Sequence, residues 1–365
     1  MKRILSFLTI LFSLQVVLAQ DDIEVVNIEN EAVQAYMQDS CYFLCENYDT
    51  SVVMLYADKE LYGPKLDWPA GKELRWKRKA AVDEIEEIRI TVGNRPDYRY
   101  AATHTTSSAS AESYVIRNLF PRKTYYYKVE EVLSGSQANL LQEGVFRTIG
   151  QVRMISVEGA SNVRDIGGWP TSFGCPIRYG LLYRSGNLDG VTERGIHDFV
   201  DNLGVGAELD LRGLERGERG KSLAASPLGE DVSYIQIPND SYALSSQSDN
   251  YVRDLRWILQ QLRDGQSVDW HCAVGCDRCG TLSFLIEGLL GVSEADLCRD
   301  YELSCFRGHK RYRSHQGFGK MMRYIKRIGP DDDLAQCFYN YWKASGMTDE
   351  ELIELREILL EDFTP

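Results

Sequence analysis

The run Trp270-His271-Cys272-Ala273-Val274-Gly275-Cys276-Asp277-Arg278-Cys279-Gly280-Thr281 constrains this chain more than any other stretch. The residues Val268 to Trp270 lead into it as a short strand, and the largely apolar run Leu282 to Leu290 follows it. That order predicts strand, loop and helix N-terminus. The unpaired N–H groups of such a turn point inward and form an anion cradle. The helix dipole adds partial positive charge at the same place. Both effects lower a thiol pKa, so Cys272 is expected to be a thiolate near neutral pH. Arg278 offers a planar fork that suits two oxygens of a phosphate. A nucleophile, an oxyanion cradle and a charge clamp in one loop predict phosphoryl transfer through a cysteinyl-phosphate.

The string His271-Cys272-x-x-Gly275-x-Asp277-Arg278-x-Gly280 resembles the phosphate loop of the bacterial tyrosine/dual-specificity protein phosphatases, which reads H-C-x-x-G-K-D-R-T-G. The family's Lys is Cys276 here, and its hydroxyl residue after the Arg is Cys279. Two further strings carry the same resemblance in order. One is Asn162-x-Arg164-Asp165-x-Gly167-Gly168; the other is Gly291-Val292-Ser293 followed by Asp300-Tyr301-x-Leu303-Ser304. A competing reading rests on Cys272, Cys276 and Cys279 alone. Their C-x-x-x-C-x-x-C spacing resembles the cluster motif of radical enzymes that use S-adenosylmethionine, with thiolates ligating iron and sulfur. Such an enzyme gives no reason for the other two strings.

The resemblance implies an α/β tyrosine phosphatase fold, a central mostly parallel sheet flanked by helices, over residues 151–365. It implies Cys272 as nucleophile, Arg278 as phosphate clamp and His271 as support for the thiolate. Ala273, Val274, Gly275, Cys276, Asp277 and Arg278 line the phosphate. Two carboxylates compete as general acid and base. Asp277 is the choice from atypical bacterial members, and Asp240, after the strand Val232 to Pro238, is the choice by analogy to ordinary tyrosine phosphatases. Asn162, Arg164 and Asp165 are expected to border the loop, although Arg164 and Asp165 also read as a surface ion pair. Cys279 is a weaker donor than a hydroxyl; Thr281 is the residue that could compensate. No cofactor or metal is implied, since the five histidines are scattered without ligand-pair spacing.

The 365 residues predict two domains. Short runs rich in β-branched and aromatic residues occupy 48–150: Ser51 to Tyr56, Glu87 to Val92, Tyr98 to Thr103, Ser113 to Asn118, Thr124 to Glu131 and Val145 to Thr148. They predict an all-β sandwich. Leu119-x-Pro121-x-x-x-Tyr125, followed by Tyr127 and Val129, resembles the corner of fibronectin type III domains, with Trp68 or Trp76 as core tryptophan. A protein or glycan is the partner such a unit would take. Residues 20–47 read as a lead-in segment, in which Ala32, Ala35, Tyr36 and Tyr42 could mark one helix face.

Residues 1–19 read as a secretory signal: Lys2 and Arg3, an apolar core from Ile4 to Leu18, and a Val17-Leu18-Ala19 cleavage site. The expected protein is therefore exported, periplasmic or secreted, with no stable membrane anchor after cleavage. Its net charge of −13 argues against nucleic acid as a partner. An anionic substrate, either a phosphorylated protein or an inositol phosphate, must be drawn by a local basic site; the run Arg307 to Arg313 is one candidate rim. Nine cysteines, an odd count, leave at least one unpaired. In an oxidising compartment Cys276 or Cys279 could form a reversible disulfide with Cys272. The function expected is hydrolysis of phosphate monoesters, foremost protein phosphotyrosine with dual specificity open. Inositol polyphosphates or phosphoinositides on the same fold, or a catalytically weak phosphate-binding module, are the alternatives.

Overall fold

The computed structural model describes residues 23–38, 70–99, 101–106, 109–135, 137–213, 225–307, 315–330 and 332–364. The expected signal segment, Cys41, Tyr42, Cys45, the strand at Ser51 to Tyr56, Trp68 and the basic run beyond Arg307 lie outside these residues.

The N-terminal unit comprises β1 (Glu24–Asn27), α1 (Glu31–Gln38), β2 (Lys72–Arg75), β3 (Ile85–Gly93), β4 (Ala102–Thr106), β5 (Ser113–Ile116), β6 (Thr124–Leu133) and β7 (Ala138–Ile149). One sheet runs β1-β7-β6-β3-β4, and β2 pairs with β5 in a second. Period-two alternation buries Tyr125, Tyr127 and Val129 of β6 on one face. They join Ile88, Ile90, Phe146, Leu74 and Trp76 in one apolar cluster that takes residues from both sheets. Strand β2 escapes a reading by hydrophobic pattern because three of its four residues are charged; only Leu74 is buried. Its pairing partner, not its composition, makes it a strand.

The lead-in segment does two things that its acidic composition conceals. Strand β1 adds in parallel to the edge of β7, Glu24 opposite Phe146. Helix α1 then buries Ala32, Val33 and Tyr36 in the core of the C-terminal unit, and the Tyr36 hydroxyl donates to Glu302 Oε2 at 2.5 Å. Between them, Glu29 Oε1 accepts from the amides of Gln151 and Val152 at 2.9 and 2.8 Å.

The C-terminal unit follows as β8 (Arg164–Asp165), β9 (Leu182–Ser185), α2 (Glu193–His197), β10 (Val205–Asp210), β11 (Ser233–Gln236), α3 (Ser248–Arg263), β12 (Ser267–His271), α4 (Asp277–Leu289), α5 (Glu294–Leu303), α6 (His315–Lys326), α7 (Leu334–Ser345) and α8 (Asp349–Leu359). Its sheet has the order β11-β10-β12-β9-β8. The first three pairings are parallel and the last antiparallel. Apolar clusters cover both faces, as a mostly parallel sheet requires. Helix starts follow their caps. The Thr192 hydroxyl accepts from Gly195 N at α2, and Thr348 with Glu351 closes a capping box at α8. No described helix is long and apolar enough to cross a membrane.

Candidate active site

Strand β12 is central in its sheet, between β10 and β9, and Cys272 is the first residue beyond its end. Alternation sends Val268, Trp270 and Cys272 to one face, where all three join the main core. Asp269 and His271 go to the other. The chain then turns at Cys272–Cys276 and enters α4 at Asp277. Gly275 makes the turn possible: its φ is +69°, and a Cβ there would lie 2.5 Å from the Ser185 carbonyl oxygen.

The carbonyls of this turn are held from outside. Asn187 Nδ2 donates to Ala273 O at 2.7 Å. Asn162 Nδ2 reaches Val274 O at 3.1 Å and Gly275 O at 2.9 Å. Arg184 Nη2 donates to Gly275 O and Cys276 O at 3.0 and 3.1 Å. A trans peptide is planar, with its N–H opposed to its C=O. With four successive carbonyls turned outward, the amides of Val274, Gly275, Cys276 and Asp277 turn toward the centre. The first-turn amides of α4 add to them. This is an anion cradle with Cys272, 1% exposed, at its base.

The donors are themselves locked. Arg164 Nε and Nη2 clasp the Asp300 carboxylate at 3.0 and 3.2 Å, and its Nη1 donates to Asn162 Oδ1 at 3.1 Å. Arg184 Nη1 reaches Asp300 Oδ2 at 2.7 Å and Ser283 Oγ at 2.9 Å. All of these groups are buried. Asp165 stands apart from Arg164. It binds Arg153 Nη1 at 2.9 Å and accepts from the amides of Gly167 and Gly180. Arg153 in turn donates to Asn118 O at 3.0 Å and lies 3.5 Å over the Phe120 ring. Arg164 thus braces the cradle and Asp165 braces the junction with the N-terminal unit; a surface ion pair between them is not what the fold makes.

Cys272 and Cys279 influence one another's charge in opposite directions. The Cys279 thiol, with Arg278 and the amides of Val274 and Cys279, holds the Cys272 thiol well below its usual range against the effect of burial. Burial and the Cys272 charge push Cys279 well above it. The Cys279 sulfur, in the position where the phosphatase loop ordinarily has a hydroxyl, lies 3.6 Å from Ser185 O and 3.7 Å from Trp270 O. Cys272, Cys276 and Cys279 are not in disulfides. Thr281 is occupied elsewhere: its hydroxyl donates to Asp277 O at 2.8 Å and accepts from Tyr242 N at 3.1 Å. Cys276 is 7% exposed, with its sulfur 3.5 Å from Val274 O and 3.8 Å from Asn162 Nδ2.

The two candidate acids are placed differently. Asp277 is the first residue of α4, half-buried, and accepts from the Tyr242 hydroxyl. That hydroxyl also lies 3.0 Å from the Tyr301 hydroxyl. Asp240 is exposed, and its Oδ2 accepts from Gln247 Nε2 at 3.4 Å. His271 points away from the cradle. Its Nε2 lies 2.8 Å from Glu208 Oε1, and Nδ1 lies 3.9 Å from Asp210 Oδ1. Burial works to lower its pKa, but Glu208, Asp210 and Asp269 together hold it above its ordinary value.

Sequence reading singled out neither Arg184, Asn187, Asp300 nor Tyr242 for the site. Asp300 lay inside a recognised string without a role. Arg184 and Asn187 flank Ser185-Gly186 at a strand end, the one signal that could have drawn attention to them.

A parallel-sheet strand running into an amide-lined loop with a buried cysteine at its base and an arginine on the following helix define a tyrosine phosphatase-like fold. The chain belongs to the tyrosine phosphatase family: the model described as "Tyrosine phosphatase family" matches residues 155–361. A candidate tyrosine-protein phosphatase of Cupriavidus necator is 26% identical over 168 residues, covering 40% of this chain and 61% of the relative. The chain thus spans less than two thirds of that relative. Among solved structures, the catalytic core of the PP-IP phosphatase Siw14 from S. cerevisiae is 19% identical, covers 50% of this chain and 96% of its own, and has a TM-score of 0.30. TpbA from P. aeruginosa is 16% identical, with coverages of 44% and 89% and a TM-score of 0.29.

Proposed function

We propose that this protein hydrolyses phosphate monoesters through a cysteinyl-phosphate, with protein phosphotyrosine as its principal substrate. One observation carries the reading: the buried Cys272 lies at the base of a loop whose carbonyls at 273–276 are held from outside. The Cys272 sulfur attacks phosphorus and the ester P–O bond breaks in line. The inward amides and Arg278 take the charge of the equatorial oxygens. Asp277 gives its proton to the leaving oxygen, worth about 10²–10⁴-fold. Water then attacks the phosphocysteine, Asp277 takes its proton, and Cys272 departs as a thiolate that the Cys279 thiol stabilises. His271 acts from behind, its charge held by Glu208.

Position 276 favours phosphotyrosine over inositol polyphosphates. A Lys there would meet an extra phosphate; the sulfur of Cys276 instead packs on Asn162 and Val274. The test is release of phosphate from p-nitrophenyl phosphate and a phosphotyrosine peptide, with vanadate inhibiting and a chelator without effect. Cys272→Ser abolishes turnover and retains phosphate binding. Undiminished turnover in that variant would overturn the reading. A mass increment of one phosphoryl group on the Cys272 peptide of acid-quenched enzyme tests the intermediate directly.

Export and the domain plan belong to the same proposal. The charged start, apolar core and small-residue cleavage pattern of residues 1–19 support export to the periplasm or beyond. Mass spectrometry of the mature N-terminus, expected at Gln20, tests it. For 48–150, a fibronectin type III-like unit draws support from Tyr125, whose hydroxyl accepts from Phe120 N at 2.9 Å across the Leu119–Pro121 corner.

A further inference from the structure

Helix α5 and its C-cap, Ser304, deliver three side chains to the site. Asp300 pairs with Arg164 and Arg184. Ser304 Oγ accepts from Arg164 Nη1 at 3.3 Å and lies 3.4 Å from Asn162 Nδ2. The Tyr301 hydroxyl lies 3.0 Å from the Tyr242 hydroxyl, which bonds Asp277. At about 3.6 residues per turn, positions 300, 301 and 304 share an arc of about 100°. Glu302 points roughly 150° away from the middle of that arc. There its Oε2 accepts from the Tyr36 hydroxyl at 2.5 Å, from 266 positions back in the chain, and both residues are buried.

Tyr36 reaches α5 from a helix that is anchored elsewhere. Asn30 Oδ1 accepts from Val33 N at 2.9 Å and caps α1. Just before it, Glu29 holds the amides of Gln151 and Val152, and β1 is paired along β7. Ala32 and Val33 join Tyr36 in the main core. The Tyr36 ring packs 5.5 Å from that of Phe306, beyond the end of α5. Burial and the Glu302 charge push the Tyr36 hydroxyl well above its ordinary range, so it stays a donor. Helix α5 is therefore gripped on two faces, by the arginines of the cradle on one and by Tyr36 on the other.

We infer that Tyr36 is a positioning residue of the phosphatase site, which it serves by fixing α5 from behind through Glu302. The inference rests on the phosphatase reading above and extends its machinery to the lead-in helix. Apolar packing is non-directional and lets a helix roll or slide; a hydrogen bond to a carboxylate fixes one orientation. A shift of α5 is passed on by rigid parts. Arg184 takes Asp300 with Nη1 at 2.7 Å and the carbonyls of Gly275 and Cys276 with Nη2, so one planar guanidinium joins α5 to the cradle. Arg164 and Asn162 form a second path to Val274 O and Gly275 O. Tyr301 and Tyr242 carry the same shift to Asp277.

The test uses the full chain and two buried substitutions. Tyr36→Phe keeps the ring and removes the hydroxyl; Ile90→Val trims the core of the N-terminal unit. Both are compared with wild type at a temperature where circular dichroism shows every protein folded. Tyr36→Phe should lower kcat/KM on a phosphotyrosine peptide and weaken inhibition by vanadate, each by about tenfold. Ile90→Val should leave both within about twofold. Calorimetry with inorganic phosphate, on Cys272→Ser with and without Tyr36→Phe, reads the cradle without turnover and should show the same loss. Unchanged phosphate binding in the folded double variant overturns the inference. So does an equal loss in Ile90→Val, which would reduce the effect to general stability. Should Tyr36→Phe not fold, Glu302→Gln takes its place: it weakens the charge-assisted bond and should show a smaller loss of the same kind, and none would overturn the inference. Failure of the wild type to release phosphate from p-nitrophenyl phosphate overturns the phosphatase reading instead. Hydrogen exchange then still decides the grip on α5, because amides 294–303 should exchange faster in Tyr36→Phe than in Ile90→Val, and equal rates would refute it.

Discussion

The Tyr242 hydroxyl donates to Asp277 Oδ1, tying the loop after β11 to the first residue of the helix after the cysteine. This is the loop in which analogy sought an acidic residue. Beside Asp240, it supplies a residue that hydrogen-bonds the other candidate acid. Tyr242 itself sits at φ +63°, a left-handed conformation that a non-glycine residue adopts at a cost. Tyr242→Phe should lower kcat by about 10–100-fold, the worth of a hydrogen bond to a charged group, with little change in KM. Gly317→Ala, which crowds the ring and leaves the hydroxyl in place, should show a smaller loss of the same kind. Steady-state kinetics on a phosphotyrosine peptide check both. A rise in KM alone would mean Tyr242 binds substrate and does not position Asp277.

Asp277 and Asp240 are separable by substitution. Asp277→Asn should cost about 10²–10⁴-fold in kcat. Asp240→Asn, at an exposed carboxylate, should change kcat by less than about threefold. The losses should shrink for substrates with good leaving groups, which need no proton. The reverse ranking would return the acid to the loop after β11.

Cys279 carries a pH prediction with a definite sign. It is the largest influence that lowers the Cys272 thiol. The thiolate is fully present above the depressed pKa and is lost as pH falls through it. Cys279→Ala should therefore move the acid limb of kcat/KM to higher pH, and alkylation of Cys272 by iodoacetamide should track the same shift. It should also slow dephosphorylation of the intermediate by about tenfold or more, visible as a larger burst over a slower steady state. Cys279→Ser should restore much of the rate. An acid limb that stays put would assign the low pKa to Arg278 and the amides alone.

Asn162 bridges the cradle carbonyls to Arg164. Its φ of +55° makes glycine the least disruptive deletion. Asn162→Gly should weaken vanadate binding by about tenfold while the fold persists. Asn162→Asp sets a carboxylate against two carbonyl oxygens and should cost about 100-fold or more. Inhibition constants and circular dichroism, read together, separate a loosened cradle from an unfolded chain.

Asp254 of α3 links stability to pH. Burial pushes its carboxyl up to about 8, with Asn239 and Arg253 opposing; Asn239 Nδ2 lies 2.6 Å away. The folded pKa lies above the unfolded value of about 3.9, so this group's stability is full below about pH 4 and declines toward about pH 8. Asp254→Asn should narrow the difference between urea midpoints at about pH 5 and about pH 8. An equal difference in the variant would mean that Asp254 titrates normally.

Local sequence determined what depends on neighbours along the chain. Strand, Gly275 turn and apolar helix around Cys272 follow from residue type and order, and so do the caps at Thr192, Ser293 and Thr348. Whatever depends on residues far apart in sequence was settled only by folding. Arg164 meets Asp300 across 136 positions, and Tyr242 meets Asp277 across 35. Strand β1 and helix α1 gain their roles from β7 and Glu302. The physical reason is that a backbone turn is a short-range property of φ and ψ, whereas the donors that aim its carbonyls outward are recruited by burial, which is decided by the whole fold at once.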